Sequence, residues 1–438
     1  METVSKYTQT LRKINFWLIV LISFFLPFHR LFASYLSILW IVCFLLEGNF
    51  SQKFSNKKRK GFLYLLLAFF LLHLIGLSYS ENMHEGWEHV MLKLPFVFIP
   101  LMLFMSADFL REKYKKILLS FVAGNFSAAV ICLIAATVRS LSYVNGSWVF
   151  NAELMEHYGY SFWQMLANGG NNYMYDPLSV FIHPGYFSMF IVVSVLIIID
   201  LLFHNEIGKS IRSKMLYMLL ILFFCIMVYL LFARTGLIAL FIVLLGYLIV
   251  LAFRGKGKIY KLGILIAFAI AGIVVIGNNG RMKNTFYELK KLISDPRKIT
   301  KQDDRIFIWG ISLDIIKNNF LTGVGTGDTK EKLMEVYKKE QMEEAQKAGL
   351  NVHNQFLETT MQFGISGLLV LLTIFIWPFI YAVKNRNILL ILFLIVNVLF
   401  FSFECALNAQ AGVFYFVLIY SLLLFVRPEK RTSQHATV

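Results

Sequence analysis

Charge is what this chain has least of. Aspartate, glutamate, lysine and arginine make up 16% of its 438 residues, against about 25% in an ordinary soluble domain. Hydrophobic residues make up 58%. A water-soluble globule is thereby excluded, and an integral membrane protein is expected. Cysteine is scarce as well: Cys43, Cys132, Cys225 and Cys405 fall in or beside apolar runs, and none belongs to a CxxC pair. They read as small apolar packing residues rather than a disulfide or metal framework. Internal repeats and low-complexity linkers are also missing, so one membrane domain is expected.

What fills the chain instead is apolar sequence. A spanning helix needs roughly 20 apolar residues. About twelve runs qualify, near 14–29, 31–46, 62–79, 90–106, 116–139, 180–203, 214–232, 235–253, 260–277, 364–383, 387–403 and 411–426. The expected fold is an all-α integral membrane protein with about 12 transmembrane helices. Lys6, Arg12 and Lys13 precede the first run as in a signal peptide. No small-residue cleavage site follows, so an uncleaved first helix is expected.

The net charge of +16 reports topology more than a nucleic-acid partner. With the N-terminus inside, the connections that alternate with it hold 24 lysines and arginines, whereas 80–89 and 140–179 hold none. This is the asymmetry of the positive-inside rule, and it places both termini in the cytoplasm. Another 14 basic residues lie in 278–362; long segments translocate largely regardless of charge. The expected organisation is spans one to nine over 1–277, an outside helical insertion over 278–362, and spans ten to twelve with the tail over 363–438.

Two outside segments stand out. The loop at about 140–179 carries Trp148, Tyr158, Tyr160, Trp163, Tyr173 and Tyr175 among Asn and Gly. Aromatic faces beside amides suit sugar rings; an interfacial aromatic belt accounts for them equally simply. In the insertion, one helix is expected from Asp303 or Asp304 to about Asn318, with Ile306, Trp309, Leu313, Ile316 and Phe320 on its apolar face. A second is expected from Asp328 to about Lys347, stopped at Gly349. A third starts near His353 and leads into the next span through Phe363-Gly364.

Among chemically capable residues, Arg234 is the only charge between Lys214 and Arg254. Such a boundary arginine is either a snorkelling turn residue or a functional one. Arg305 sits in the first turn of its helix, where the macrodipole disfavours a cation. A bound phosphate would account for it, as would a simple Asp–Arg surface pair. His353 is suited to accept a proton from a hydroxyl near neutral pH, although a lone histidine is more often structural. Lys93, His183 and Glu404, near the outer ends of their spans, are each a cavity contact or an anchoring residue.

Other signals are weaker. Gly323, Gly325 and Gly327 match neither a P-loop nor a dinucleotide fingerprint, and read as a turn that could form an anion nest. His84-Glu85-Gly86-Trp87-Glu88-His89 fails the HExxH zinc pattern at Glu88. No Asp-x-Asp pair lies outside, so a metal-held diphosphate is not supported, and no metal or cofactor is expected.

The order of strings is informative: Arg234-Thr235-Gly236, Asp304-Arg305-Ile306-x-x-Trp309, Gly323-x-Gly325, His353-Asn354-Gln355-Phe356-Leu357-Glu358 and Phe363-Gly364-Ile365-x-Gly367-Leu368. It resembles the O-antigen ligase and polymerase superfamily of bacterial envelopes, closely over roughly 230–370. The resemblance implies a metal-independent type C glycosyltransferase of the inner membrane with a periplasmic active site. It implies a glycan donor on undecaprenyl diphosphate and, in the ligases, a hydroxyl of lipid A–core as acceptor. It also implies catalytic roles for Arg234, Arg305 and His353, and substrate-binding roles for Lys93, His183, Asn354 and Glu404. Membrane lipids are the other expected partners, and nucleic acid is not one. Alternatives are a polymerase or a protein O-oligosaccharyltransferase using the same donor. A different class, a polysaccharide transporter or flippase, is disfavoured because the charges gather at one face and no repeat is evident.

Overall fold

The computed structural model describes residues 6–55, 59–153, 170–253, 258–278 and 304–428. Tyr158, Tyr160, Trp163 and Asp303, singled out above, lie outside these residues. In chain order the helices are α1 (Lys6–Phe25), α2 (Arg30–Glu47), α3 (Phe50–Ser55), α4 (Lys60–Leu77), α5 (Met83–Lys93), α6 (Pro95–Arg111) and α7 (Tyr114–Arg139). A hairpin, β1 (Leu141–Val144) and β2 (Ser147–Phe150), follows. Then come α8 (Pro184–Phe203), α9 (Ile211–Leu230), α10 (Arg234–Ala252) and α11 (Lys258–Asn278). The insertion supplies α12 (Asp304–Asn318), α13 (Thr329–Lys339) and α14 (Glu343–Ala348). The chain re-enters the bundle through α15 (Gln355–Lys384), α16 (Ile388–Phe403), a 3-10 turn at Ala406–Asn408, and α17 (Gln410–Ser421) with a π-helical turn to Val426.

Among the described residues, seven helical stretches are long and apolar enough to cross a membrane, and three shorter apolar helices accompany them. This is a helical membrane protein. The centre of the bundle is α8, buried over 78% of its most apolar window, against 22% for α9 at the rim. Around α8 pack α7, α9, α10 and α16. At the end of α8 away from its N-cap, Asp200 accepts from Tyr247 Oη at 3.0 Å and Arg427 Nη2 at 3.0 Å. That pairing ties the end of the π-helical turn after α17 to the central helix.

The insertion has its own core of Ile308, Ile311, Ile316, Leu333, Tyr337, Met342, Val352 and Met361. Three expectations need correcting. The apolar face of α12 is partly turned: Ile316 is buried and Trp309 packs on the core as expected, but Ile308 and Ile311 are buried too, while Leu313, and Phe320 beyond the helix end, are exposed. Its first half is apolar nearly all round, so the 3.6-residue period fits more than one face. Packing against α13 and α15 selects one. The helix expected from Asp328 to Lys347 breaks between α13 and α14, where Gln341 takes φ 57° and Met342 enters the insertion core. The all-α expectation omits the hairpin. Asn145 (φ 50°) and Gly146 (φ 83°) form the two-residue turn favoured by Asn-Gly.

The glycine strings dock the insertion on the bundle. Within α15, Gly364 (φ 61°) breaks the helix, and the stretch before it pairs with the glycine turn. Val324 N donates to Met361 O at 2.8 Å, Gly325 N to Gln362 O at 3.0 Å and Ile365 N to Phe320 O at 2.8 Å. Thr326 N donates to Gly76 O, and Gly327 N to Ser80 Oγ. Asp328 accepts from the backbone N–H groups of Glu81 and Asn82 at 2.9 and 2.8 Å. With Gly323 N on Asn319 O, every N–H from 323 to 327 has a protein acceptor. The turn therefore has no donors left for a phosphate nest.

Candidate functional site

Where the insertion meets the bundle lies a cleft of about 370 Å³. Four helix N-termini point at it. Alpha-8 begins there, with His183 as its cap, and α10 begins there with Arg234 at its first position. Alpha-12 brings Arg305 in its first turn, and α15 is preceded by His353. Helix N-termini carry partial positive charge, and two guanidinium groups add to it. Anions are favoured in such a field, and cations of the protein itself are not. Placing two arginines there runs against local helix preference, which is where function is expected.

Glu404, the first residue after α16, organises the centre. Its Oε1 accepts from Arg305 Nη2 at 3.2 Å, and its Oε2 lies 3.3 Å from His353 Nδ1. A carboxylate only accepts, so Nδ1 carries the proton and Nε2 of the neutral ring is left as the acceptor. Burial pushes the Glu404 carboxyl up, but the His353 hydrogen bond and the Arg305 charge outweigh it, and its pKa lies below the ordinary value. The Glu404 side chain is 14% exposed, His353 24% and Arg305 42%. The carboxylate is the buried anchor, and the arginine is the group that reaches into open space.

Backbone strain gathers at the same place. Tyr175 (φ 56°), Phe232 (φ 52°) and His353 (φ 49°) are bulky residues in the left-handed region. Tyr175 and His353 line the cleft, and Phe232 lies two residues before Arg234. Left-handed backbone costs a bulky residue about 1–3 kcal/mol and persists only where surroundings over-determine it. Part of that determination is visible: Tyr175 N donates to Leu230 O at 3.0 Å, and His353 N to Asn351 Oδ1 at 2.9 Å.

His183 also lines the cleft, and its Nδ1 accepts from Gly185 N at 3.2 Å. The proton of its neutral ring is therefore on Nε2. The cleft thus gathers Arg234, Arg305, His353, His183 and Glu404 from five separate stretches of chain. It does not gather the other two residues expected to bind substrate. Asn354 caps α15, its amide oxygen accepting from Phe356 N at 3.0 Å and Leu357 N at 3.1 Å. Lys93 is 1% exposed inside the bundle, in the electrostatic field of Glu358. The break at Leu94-Pro95 ends α5 there and leaves Lys93 in the packed interior. Glu358 in turn accepts from Thr329 Oγ1 at 3.1 Å and Asn408 Nδ2 at 3.0 Å, fastening the insertion to the bundle.

Tyr186, Asn351 and Thr235 also line the cleft. Thr235 belongs to the Arg234-Thr235-Gly236 string, Tyr186 lies three residues after His183, and Asn351 carries no signal beyond closeness to His353. The HExxH-like string forms no metal site, and no group of three or more His, Cys, Asp or Glu among the described residues could hold one.

Residues 218–372 match the family model described as O-Antigen ligase. Over that segment the chain is similar to the O-antigen ligase family. The matched segment contains Arg234, Arg305 and His353, while His183 and Glu404 reach the same cleft from outside it. No curated protein matches the chain.

Proposed function

We propose that this protein is an O-antigen ligase that transfers a glycan from undecaprenyl diphosphate to a hydroxyl of lipid A–core at the periplasmic face of the inner membrane. The reaction is metal-independent and inverts the anomeric configuration. One observation carries this reading: two arginines and a carboxylate-held histidine line one cleft at the positive ends of four helices.

In the proposed step, the acceptor hydroxyl attacks the anomeric carbon as the bond to the diphosphate oxygen breaks. The bonding pair leaves with the diphosphate, and the hydroxyl proton passes to His353 Nε2. Arg234 and Arg305 stabilise the charge that grows on the leaving group. Guanidinium groups stay protonated at any relevant pH and grip phosphate bidentately. Beside lipid, fixed charges act through a lower dielectric than in water. Glu404 orients the His353 ring and stabilises the imidazolium that forms, the role of the acid in other base–acid pairs. It also holds Arg305 while no diphosphate competes for that guanidinium.

The experiment is reconstitution of the purified protein with a lipid-diphosphate glycan and candidate acceptors. Arg305→Ala is expected to lower the transfer rate by about 10²–10³, with partial recovery in Arg305→Lys. Near-normal transfer by correctly inserted Arg305→Ala would remove the diphosphate assignment.

A further inference from the structure

A second cavity, of about 620 Å³, lies beside the cleft and shares His183 and Tyr186 with it. One wall is apolar, built by Leu26, Phe28 and Phe414; the other offers Glu85, His89, Asn408 and Gln410. Sugars present the same two kinds of surface, C–H faces and hydroxyl edges. Two atoms in this wall are buried without a hydrogen-bond partner among the described residues: His89 Nδ1 and Asn408 Oδ1. Buried polar atoms are nearly always satisfied, and a hydroxyl-bearing ligand would satisfy both.

The charge of the two spaces differs in sign. The described lining of the larger cavity includes Glu85 and Glu88 and neither lysine nor arginine. Lys330 stands 3.9 Å from Glu85 at the rim, His84 stands 4.0 Å from Glu88, and buried Lys93 lies close enough behind His89 to act on it. The contrast is in the linings themselves: two carboxylates here, two guanidinium groups and one carboxylate in the cleft. We propose that this cavity holds the receiving sugar of the acceptor, and that it takes a neutral or amino-bearing sugar and rejects a phosphorylated one. The proposal rests on the glycosyl-transfer reading of the cleft. It assigns the shared wall at His183 as the place where the acceptor hydroxyl meets the donor.

The test is a binding measurement on the full-length protein in liposomes. Ala411→Cys places a thiol on the cavity wall, in a Cys225→Ser background. Its maleimide labelling is followed with an octyl glycoside of a glucosamine disaccharide and with the same compound bearing one phosphate monoester. The unphosphorylated probe is expected to slow labelling at least about tenfold more than its phosphorylated twin, since like charges oppose binding. Adding Glu88→Lys, at an exposed rim position, should narrow that ratio several-fold. Equal or better protection by the phosphorylated probe, or protection by neither, would overturn the proposal. Release of undecaprenyl diphosphate from donor reports the cleft separately. If Arg305→Ala leaves that release unchanged, the reading of the cleft fails, whatever the labelling shows.

Discussion

Glu404 is the residue on which the chemistry of the cleft depends most. It joins Arg305 to His353, so one side chain sets the tautomer of the base and the resting position of a phosphate ligand. Glu404→Gln keeps the shape and loses the charge. Wrong-tautomer losses in comparable acid–histidine pairs reach about 10⁴ in kcat. A fall of at least 10² is expected here with little change in donor KM. The linkage to stability has a definite sign. The carboxyl titrates below its ordinary 4.5, so its contribution is fully present above about pH 4.5 and is lost as pH falls through the depressed value. The Tm difference between wild type and Glu404→Gln is expected to persist down to about pH 4.5 and close below it. A difference that vanished on the alkaline side would contradict the ion-pair assignment. Of these residues, Arg305 stood out because it breaks a local expectation and His353 because of the string around it, and both line the cleft. The hub role of Glu404 was not legible, because it depends on partners 99 and 51 residues away. Lys93 could not be placed for the converse reason: a lone basic residue near a span end looks the same whether it faces a cavity or, as here, is buried in the bundle.

At the scale of elements, the glycine strings prove to be joints. A Cβ on Gly323 (φ +73°) would stand 2.4 Å from the Gln362 carbonyl, and one on Gly364 (φ +61°) 2.5 Å from that of Leu321. Both obstacles are backbone, which cannot swing aside. Gly323→Ala is expected to lose about 1–3 kcal/mol from φ alone, read as a lower Tm and faster proteolysis between α13 and α14. Gly310 is the control. It lies in α12 with nothing within 4 Å of its would-be Cβ, so Gly310→Ala is expected to be neutral or to stabilise by up to about 1 kcal/mol. Helix positions were the most readable part of the sequence, since long apolar runs and capping residues act locally. The buried face of α12 and the break before Met342 were not readable, because both are selected by contacts within the insertion core. The hairpin at Asn145-Gly146 could have been read from its turn dipeptide alone.

At the scale of the molecule, the cleft, the glycine clamp and the larger cavity lie at the α8 N-terminal end, and the Asp200–Arg427 pair lies at the other. Alpha-8 has 20 residues, about 30 Å of helix, so the two ends lie near opposite surfaces of a bilayer. The positive-inside reading of the basic connections would put the insertion in the periplasm, and cysteine labelling tests that proposal. Lys339→Cys in α13 should react with an impermeant maleimide in cells whose outer membrane is permeabilised. Arg386→Cys, between α15 and α16, should react only after the inner membrane is opened. The reverse pattern would invert the topology and put the cleft in the cytoplasm.

In the proposed reaction, the arginines and the Glu404-held histidine release a lipid diphosphate as a glycosidic bond forms. The most direct test is single-turnover transfer by purified, reconstituted protein, following undecaprenyl diphosphate release and product anomeric configuration together. Equal release and glycoside formation with inversion are expected, with no requirement for a membrane gradient and a loss of about 10²–10³ in both Arg305→Ala and His353→Ala. Retention of configuration, or wild-type rates in both properly folded variants, would contradict the proposed reaction.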